Sequence, residues 1–249
     1  NVVAMELMTL LLIKRLGLPL KRDIIFMATA DEEVGGQWGA GWLVDHHPDL
    51  IRAEYAINEG GPTAIVFGDK VFFAVSTGEK GAARFRLRAH GAPGHASLPH
   101  TNNAVLHLAD ALSALGRARL PMHVIPTARA HIEMIAAHLD PTEGANLRAL
   151  LSEDSAEQDT ALAALPLRDF SKRRLFAMLH NTVTPTILQA GTKINVIPAE
   201  AEARIDARIL PGVTIDEFTA ELRAILGHEL AIDFYEGPSL GLESEWDSP

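Results

Sequence analysis

Cysteine is absent from this chain. No disulfide can staple it, no thiolate can act as a nucleophile, and any metal must be held by His, Asp and Glu. Cationic side chains are also scarce: 22 Lys and Arg stand against 32 Asp and Glu, a formal net charge of −10. No Lys/Arg run is long enough to neutralise a row of phosphates, which argues against nucleic acid as a partner. Long apolar runs are missing too. The opening NVVAMELMTLLLIKRLGL is apolar on nearly every side, but it carries Glu6 and stops short of the roughly 20 residues needed to cross a bilayer. It reads as a buried helix, and no membrane partner is expected. The first residue is Asn1, already inside a helical pattern, so a longer parent is expected; a cytoplasmic location fits the lack of cysteine.

What is present is ordinary for a globular chain: 249 residues, 47% hydrophobic and 22% charged, enough for one large or two modest domains. After the opening helix, Asp23 to Ala30 (DIIFMATA) is a continuous apolar run of the kind that forms a strand buried on both faces of a parallel sheet. It ends in Asp31, Glu32 and Glu33. A glycine-punctuated turn leads to a helix around Trp38 to His47, and Glu54 to Asn58 reads as a second short strand ending at Glu59. From about Gly81 the texture changes. Arg84 to Ala89 alternate polar and apolar, as do Glu200 to Leu210, the mark of an antiparallel sheet with one wet face. Asn103 to Leu115 reads as a helix, Pro185 to Ala190 and Leu230 to Tyr235 as strands, and Thr214 and Glu217 have capping-box spacing ahead of an apolar stripe of Phe218, Leu222 and Ile225. This β-α-β-β-α-β order predicts a two-layer sandwich, interrupted by a helical or loose insertion over Asp140 to Arg174.

Chemistry is suggested first by the acids. In open parallel α/β sheets the site lies beyond the carboxyl ends of the strands, where Asp31, Glu32, Glu33 and Glu59 would all project. Adjacent carboxylates repel unless a cation or shared proton compensates. A divalent metal answers that need, with one carboxylate as ligand and its neighbour as general base. The alternative is that these are strand-end acids stabilised by the dipole of the following helix. His46 and His47 precede Pro48 at a helix end and, being adjacent, do not point at one place. Trp38 and Trp42, one turn apart, read as packing.

Five strings in order, ATADEEVGG, NEGG, GHASLPH, NVIP and DARILPG, resemble the M20 metallopeptidase family of aminoacylases, deacylases and carboxypeptidases. The resemblance covers essentially the whole chain and is nearest to the carboxypeptidase S branch. It implies Glu32 as the general base, Glu33 and Glu59 as ligands of two zinc ions, and Asp31 as a structural neighbour. It implies His95 as the group that polarises the scissile carbonyl, often in a partner subunit's site, and Asn195 and Arg208 as substrate contacts, with Arg208 on a free carboxylate. An Arg fork suits a carboxylate. His90, His100 and His107 receive no role.

The implied fold is α/β: part of a mostly parallel-sheet catalytic domain over 1–78, an inserted two-layer α+β lid and dimerisation domain over 79–236, and a return to the catalytic domain over 237–249. The family's His-x-Asp motif, its bridging Asp and a late His ligand are not found, so the parent is expected to supply them. The implied activity is hydrolysis of an N-acyl amino acid or small peptide, with a homodimer as the expected assembly. The other class of reading is a non-catalytic dimerisation or binding module.

Overall fold

The computed structural model describes residues 2–58, 64–235 and 237–247. The chain divides into two units, Asn1–Gly61 and Pro62–Pro249. In the first, α1 (Val2–Leu16) ends with Lys14 and Arg15 in its last turn, where cations complement the helix dipole. Gly17 then turns left-handed, and the N–H groups of Gly17 and Leu18 close on the carbonyls of Lys14 and Ile13, the Schellman pattern that satisfies orphan helix carbonyls. A 3₁₀ turn (Glu32–Val34) and a wide helical turn (Gln37–Gly41) lead into α2 (Trp42–His46) and α3 (Pro48–Ile51).

Two expectations fail in this unit. The helix α1 buries none of its residues, although its sequence reads as a core helix. The runs Asp23 to Ala30 and Glu54 to Asn58 form no strands, so no parallel sheet exists among the described residues. A strand of that kind draws its hydrogen bonds and its two covered faces from neighbours. Neither run pairs with another among the described residues, and Ile24 and Ile25 stay about half exposed.

The second unit opens with the hairpin β1 (Ile65–Phe67) and β2 (Lys70–Phe72), then the short β3 (Gly78–Glu79) and β4 (Gly81–Ala82). Next come β5 (Phe85–His90), β6 (Gly94–His95) and α4 (Ala104–Arg117), and four helices: α5 (Pro126–Ala136), α6 (Pro141–Ala149), α7 (Ser155–Ala164) and α8 (Asp169–Leu179). The chain then returns through β7 (Thr182–Ala190), β8 (Val196–Ile197), β9 (Glu200–Ile209), α9 (Ile215–Leu226), β10 (Ala231–Phe234) and β11 (Leu242–Glu243). The main sheet is antiparallel, in the order β10-β5-β9, with β7 and β4 also pairing β9.

Alternation decides its faces. Ala201, Ala203, Ile205, Ala207 and Ile209 of β9 are buried, with Phe85, Leu87 and Ala89 of β5 beside them. Against that face pack Leu108, Ala111 and Leu115 of α4 and Phe218, Leu222 and Leu226 of α9. The helix α9 is opened by the expected capping box: the Thr214 side chain accepts from the Glu217 N–H and the Glu217 carboxylate accepts from the Thr214 N–H. A second core joins α5 to α8 with the β1–β2 hairpin, around Phe67, Ile132, Leu147 and Leu179. Helices α6 and α7 start at Asp140 and Asp154, whose carboxylates accept from the first-turn N–H groups.

Candidate functional site

The acidic turn is built around Asp31. Its backbone sits at φ 76°, left-handed, the one described non-glycine residue to do so, a conformation that Asp tolerates better than most. Its carbonyl accepts from Val34 and Gly36, and its carboxylate accepts from the Trp38 N–H at 2.9 Å. Asp31 thus holds the start of the following helical segment, as a helix-start acid does. The close return of the chain requires a glycine at position 39, where a Cβ would lie 2.0 Å from the Ala30 carbonyl oxygen. The closed turn presents Glu32 and Glu33 as successive exposed residues. With about three residues per 3₁₀ turn, their side chains diverge by a third of a circle, which suits two different roles.

Glu59 lies outside the described residues. Among the described residues, no three His, Asp or Glu side chains gather as a metal-holding group. His46 and His47 both pack on the Trp42 ring, at 5.0 and 4.9 Å, and His46 Nδ1 also meets the Trp42 carbonyl.

In the second unit the ladder of β5 and β9 is prolonged beyond the sheet by β6 and β8. His95 stands opposite Val196, the Gly91 N–H donates to Ala199, and the Ala96 N–H donates to the Asn195 carbonyl at 3.0 Å. Two residues a hundred positions apart in sequence are therefore neighbours. Both are exposed. The Ser97 N–H donates to His95 Nδ1 at 3.2 Å, and the Ser97 hydroxyl lies 2.7 Å from the same nitrogen. A ring nitrogen that accepts a backbone N–H carries no proton, so neutral His95 bears its proton on Nε2. That N–H is a donor available to an oxyanion.

Beneath this turn lies a residue that sequence reasoning passed over. The ring of His100 packs under Gly94, where a Cβ would come within 3.2 Å of His100 Nε2, and both ring nitrogens are shielded without a hydrogen-bond partner. Only its place in the same loop hinted at it. Nearby, His107 Nδ1 meets the His90 carbonyl.

Arg208 lies at the other end of β9, between Ala82 and Thr182 on its two neighbours. Its Nε and Nη2 donate to the two carboxylate oxygens of Asp206, at 2.9 and 3.3 Å. Burial pushes the Asp206 carboxyl up, but the bonds and charge of Arg208, joined by those of Arg84, outweigh it and leave the group below its usual value. Lys80, also missed from sequence, donates to the carbonyls of Ala177 and His180 at the end of α8 and to the Thr182 hydroxyl. Burial, with the charge of Arg208, lowers its pKa to about 8.

Within the second unit, His95 and Asn195 do not converge with Arg208. Ala201 to Arg208 lie on one strand, and seven steps along it span roughly 24 Å. His95 and Asn195 stand beyond the Ala201 end. No small substrate reaches both ends at once.

Residues 77–233 match the model of a family described as the peptidase dimerisation domain of M20 proteins. The chain is similar to "Probable carboxypeptidase S-like 2" of Dictyostelium discoideum, 28% identical over 220 residues, covering 86% of this chain and 40% of that protein. It is also 28% identical over 214 residues to the "N-fatty-acyl-amino acid synthase/hydrolase PM20D1" of Mus musculus, covering 79% of this chain and 39% of that protein. The chain thus spans about two fifths of these relatives' length. Among solved structures, human carnosine dipeptidase 1 overlaps 70% of the chain, and 40% of its own, at TM-score 0.43 and 14% identity. The M20 family metallo-carboxypeptidase Sso-CP2 of Sulfolobus solfataricus overlaps 69%, and 46% of its own, at 0.39 and 18%. Superpositions this loose decide nothing about the site.

Proposed function

The chain belongs to the M20 peptidase family, and on that premise we propose that its parent is a zinc-dependent hydrolase cleaving the amide bond of an N-acyl amino acid or small peptide with a free carboxylate. The names of the similar carboxypeptidase S-like and N-fatty-acyl-amino acid proteins support a hydrolase of this kind. Zinc, when bound, supplies a water activated for attack. With zinc bound, Glu32 would be the base that takes the water's proton, Glu33 and Glu59 would hold the metal, His95 would donate from Nε2 to the developing oxyanion, Asn195 would contact the substrate beside it, and Arg208 would hold the carboxylate. Carboxylate oxygens suit zinc, yet two do not fill its four positions. The other donors belong, in this reading, to parts of the parent outside this chain.

The observation that carries the reading is the split of the lid residues: His95 and Asn195 at one end of a strand, Arg208 at the other. Two copies resolve it, each lending His95 and Asn195 to the site where its partner's Arg208 sits. The sheet has an edge suited to such pairing. β7 pairs with β9 alone among the described strands, and Ile187 and Leu188 on it are exposed; an open edge is a template for a second chain. Val105 and Leu106 of α4 are exposed as well.

The test is complementation in the parent, assayed on a panel of N-acyl amino acids with zinc. His95→Ala and Glu32→Ala homodimers should both be nearly inactive, with a loss of about 10²- to 10³-fold for the His95 donor. Mixed dimers should recover part of the activity. Hybrids that form without rescue would mean a site built within one chain. The second reading, a non-catalytic dimerisation module, is favoured by the matched domain being itself a dimerisation domain; a zinc-loaded parent that dimerises but turns over nothing on the panel would establish it.

A further inference from the structure

The face of the main sheet turned away from α4 and α9 has an unusual charge pattern. Arg84, just before β5, and Arg86 and Arg88 on it alternate with buried Phe85 and Leu87. Across from them β9 presents Glu202, Arg204, Asp206 and Arg208, and β10 presents Asp233. Five arginines thus share this face with four carboxylates, Glu200 at the His90 end of β9 being the fourth, in a chain whose net charge is −10.

The excess is concentrated at one place. Arg86 stands directly opposite Arg204 in the β5–β9 register, and like charges facing each other across a ladder destabilise it. On its other side Arg86 faces Asp233, but that carboxylate is engaged by Arg88, whose Nε donates to it at 2.9 Å with Nη2 donating as well. Arg84 and Arg208 share Asp206, and Arg204 holds Glu202 at 3.3 Å. Among the described residues Arg86 is the one arginine of this face with no carboxylate in ion-pair range. Its guanidinium rests over the Tyr235 ring, 5.3 Å from the centroid, and its Nε–H is shielded from water without an acceptor. A shielded charged donor left unbonded is costly, and a guanidinium with a free fork, across the ladder from a second arginine, offers the planar donor geometry that an oxyanion takes.

We propose that Arg86 and Arg204 form a binding site for a small oxyanion, carboxylate or phosphate, on the open face of this sheet, with the Tyr235 ring fixing the Arg86 fork. The site is independent of the hydrolytic reading and distinct from Arg208, which stands four residues further along β9 and has Asp206 as its own partner.

The test uses the 249-residue chain with ¹⁵N-labelled arginine, titrated with sodium phosphate or sodium succinate against sodium chloride at matched ionic strength. The Nε–H resonances of Arg86 and Arg204 should shift saturably with phosphate, succinate or both, and not with chloride; the responding anion identifies the class. Arg86→Met should weaken binding about tenfold or more, the loss expected for one charged hydrogen bond. Arg86→Lys, which keeps the charge and loses the fork, should fall between the two. Arg148→Ala on α6, whose partner is Glu133, should bind as the unmodified chain does. If Arg86→Met does not fold by circular dichroism, Arg204→Gln replaces it with the same expectation. The proposal is overturned if neither anion shifts these resonances beyond chloride, if Arg86→Met or its replacement binds like the unmodified chain, or if Arg148→Ala weakens binding as much as Arg86→Met does.

Discussion

β9 and the run Asp23 to Ala30 are both apolar enough to be strands, yet only one became a strand. β9 alternates, so half of each residue pair needs a core and half needs water, and its partners β5 and β7 lie in the same unit. The earlier run is apolar throughout, so it needs parallel neighbours and cover on both faces; among the described residues it pairs with nothing, and Ile25 is 51% exposed. An alternating strand thus carries most of its folding instruction with it, whereas a continuous one defers to whatever surrounds it.

The largest effect that sharpens this contrast is in the core. Phe218 is fully buried, with the Phe234 ring 6.4 Å away and Phe85 beyond it. Phe218→Ala should cost about 3–5 kcal/mol, read as a lower denaturant midpoint for the second unit. Ile25→Ala in the same chain should change its stability by less than about 0.5 kcal/mol. A comparable loss at Ile25 would mean that the first unit has a core after all, and the contrast would break.

A smaller effect concerns Lys80. Its folded pKa of about 8 lies below the usual 10.5, so between these values the unfolded chain binds the extra proton. Stability must then rise with pH across that window. Relative to Lys80→Met, the unmodified chain should gain on the order of 2 kcal/mol from pH 8 to 10.5. A flat difference between the two chains would show that the ammonium is not held in the buried position at the end of α8. The smallest effect is at the cap of α9. Thr214→Ala removes one acceptor of the capping box and should cost about 1 kcal/mol in the same unfolding assay.

Much of the second unit was legible because its signals are local. The alternation of β9, the capping box of α9 and the helix from Asn103 are all patterns within a dozen residues, and each appears where it was expected. Local patterns misled in α1, where fifteen mostly apolar residues form the helix but bury nothing: periodicity states that a helix has an apolar face, not that something covers it. At the candidate site the residue types were nameable from motifs, since Glu32, Glu33, His95, Asn195 and Arg208 stand in recognisable strings. Lys80 carried no such signal, because what distinguishes it is burial against backbone far away in the chain, and His100, although it closes the GHASLPH string, gets no role from it because only the folded turn packs its ring under Gly94.

The sequence by itself determined the main strands β5 and β9 and the helices α4 and α9 of the second unit, the family resemblance and the inventory of groups able to do acid–base and carboxylate chemistry. Only tertiary structure decided which of those groups meet. His95 and Asn195 are joined by the β6–β8 ladder, Arg208 is held a strand's length away, and Arg86 is set against Arg204 while Arg88 takes Asp233. The reason is physical: a side-chain period is fixed by the backbone of its own segment, whereas register and neighbour are fixed by hydrogen bonds and packing between segments far apart in the chain.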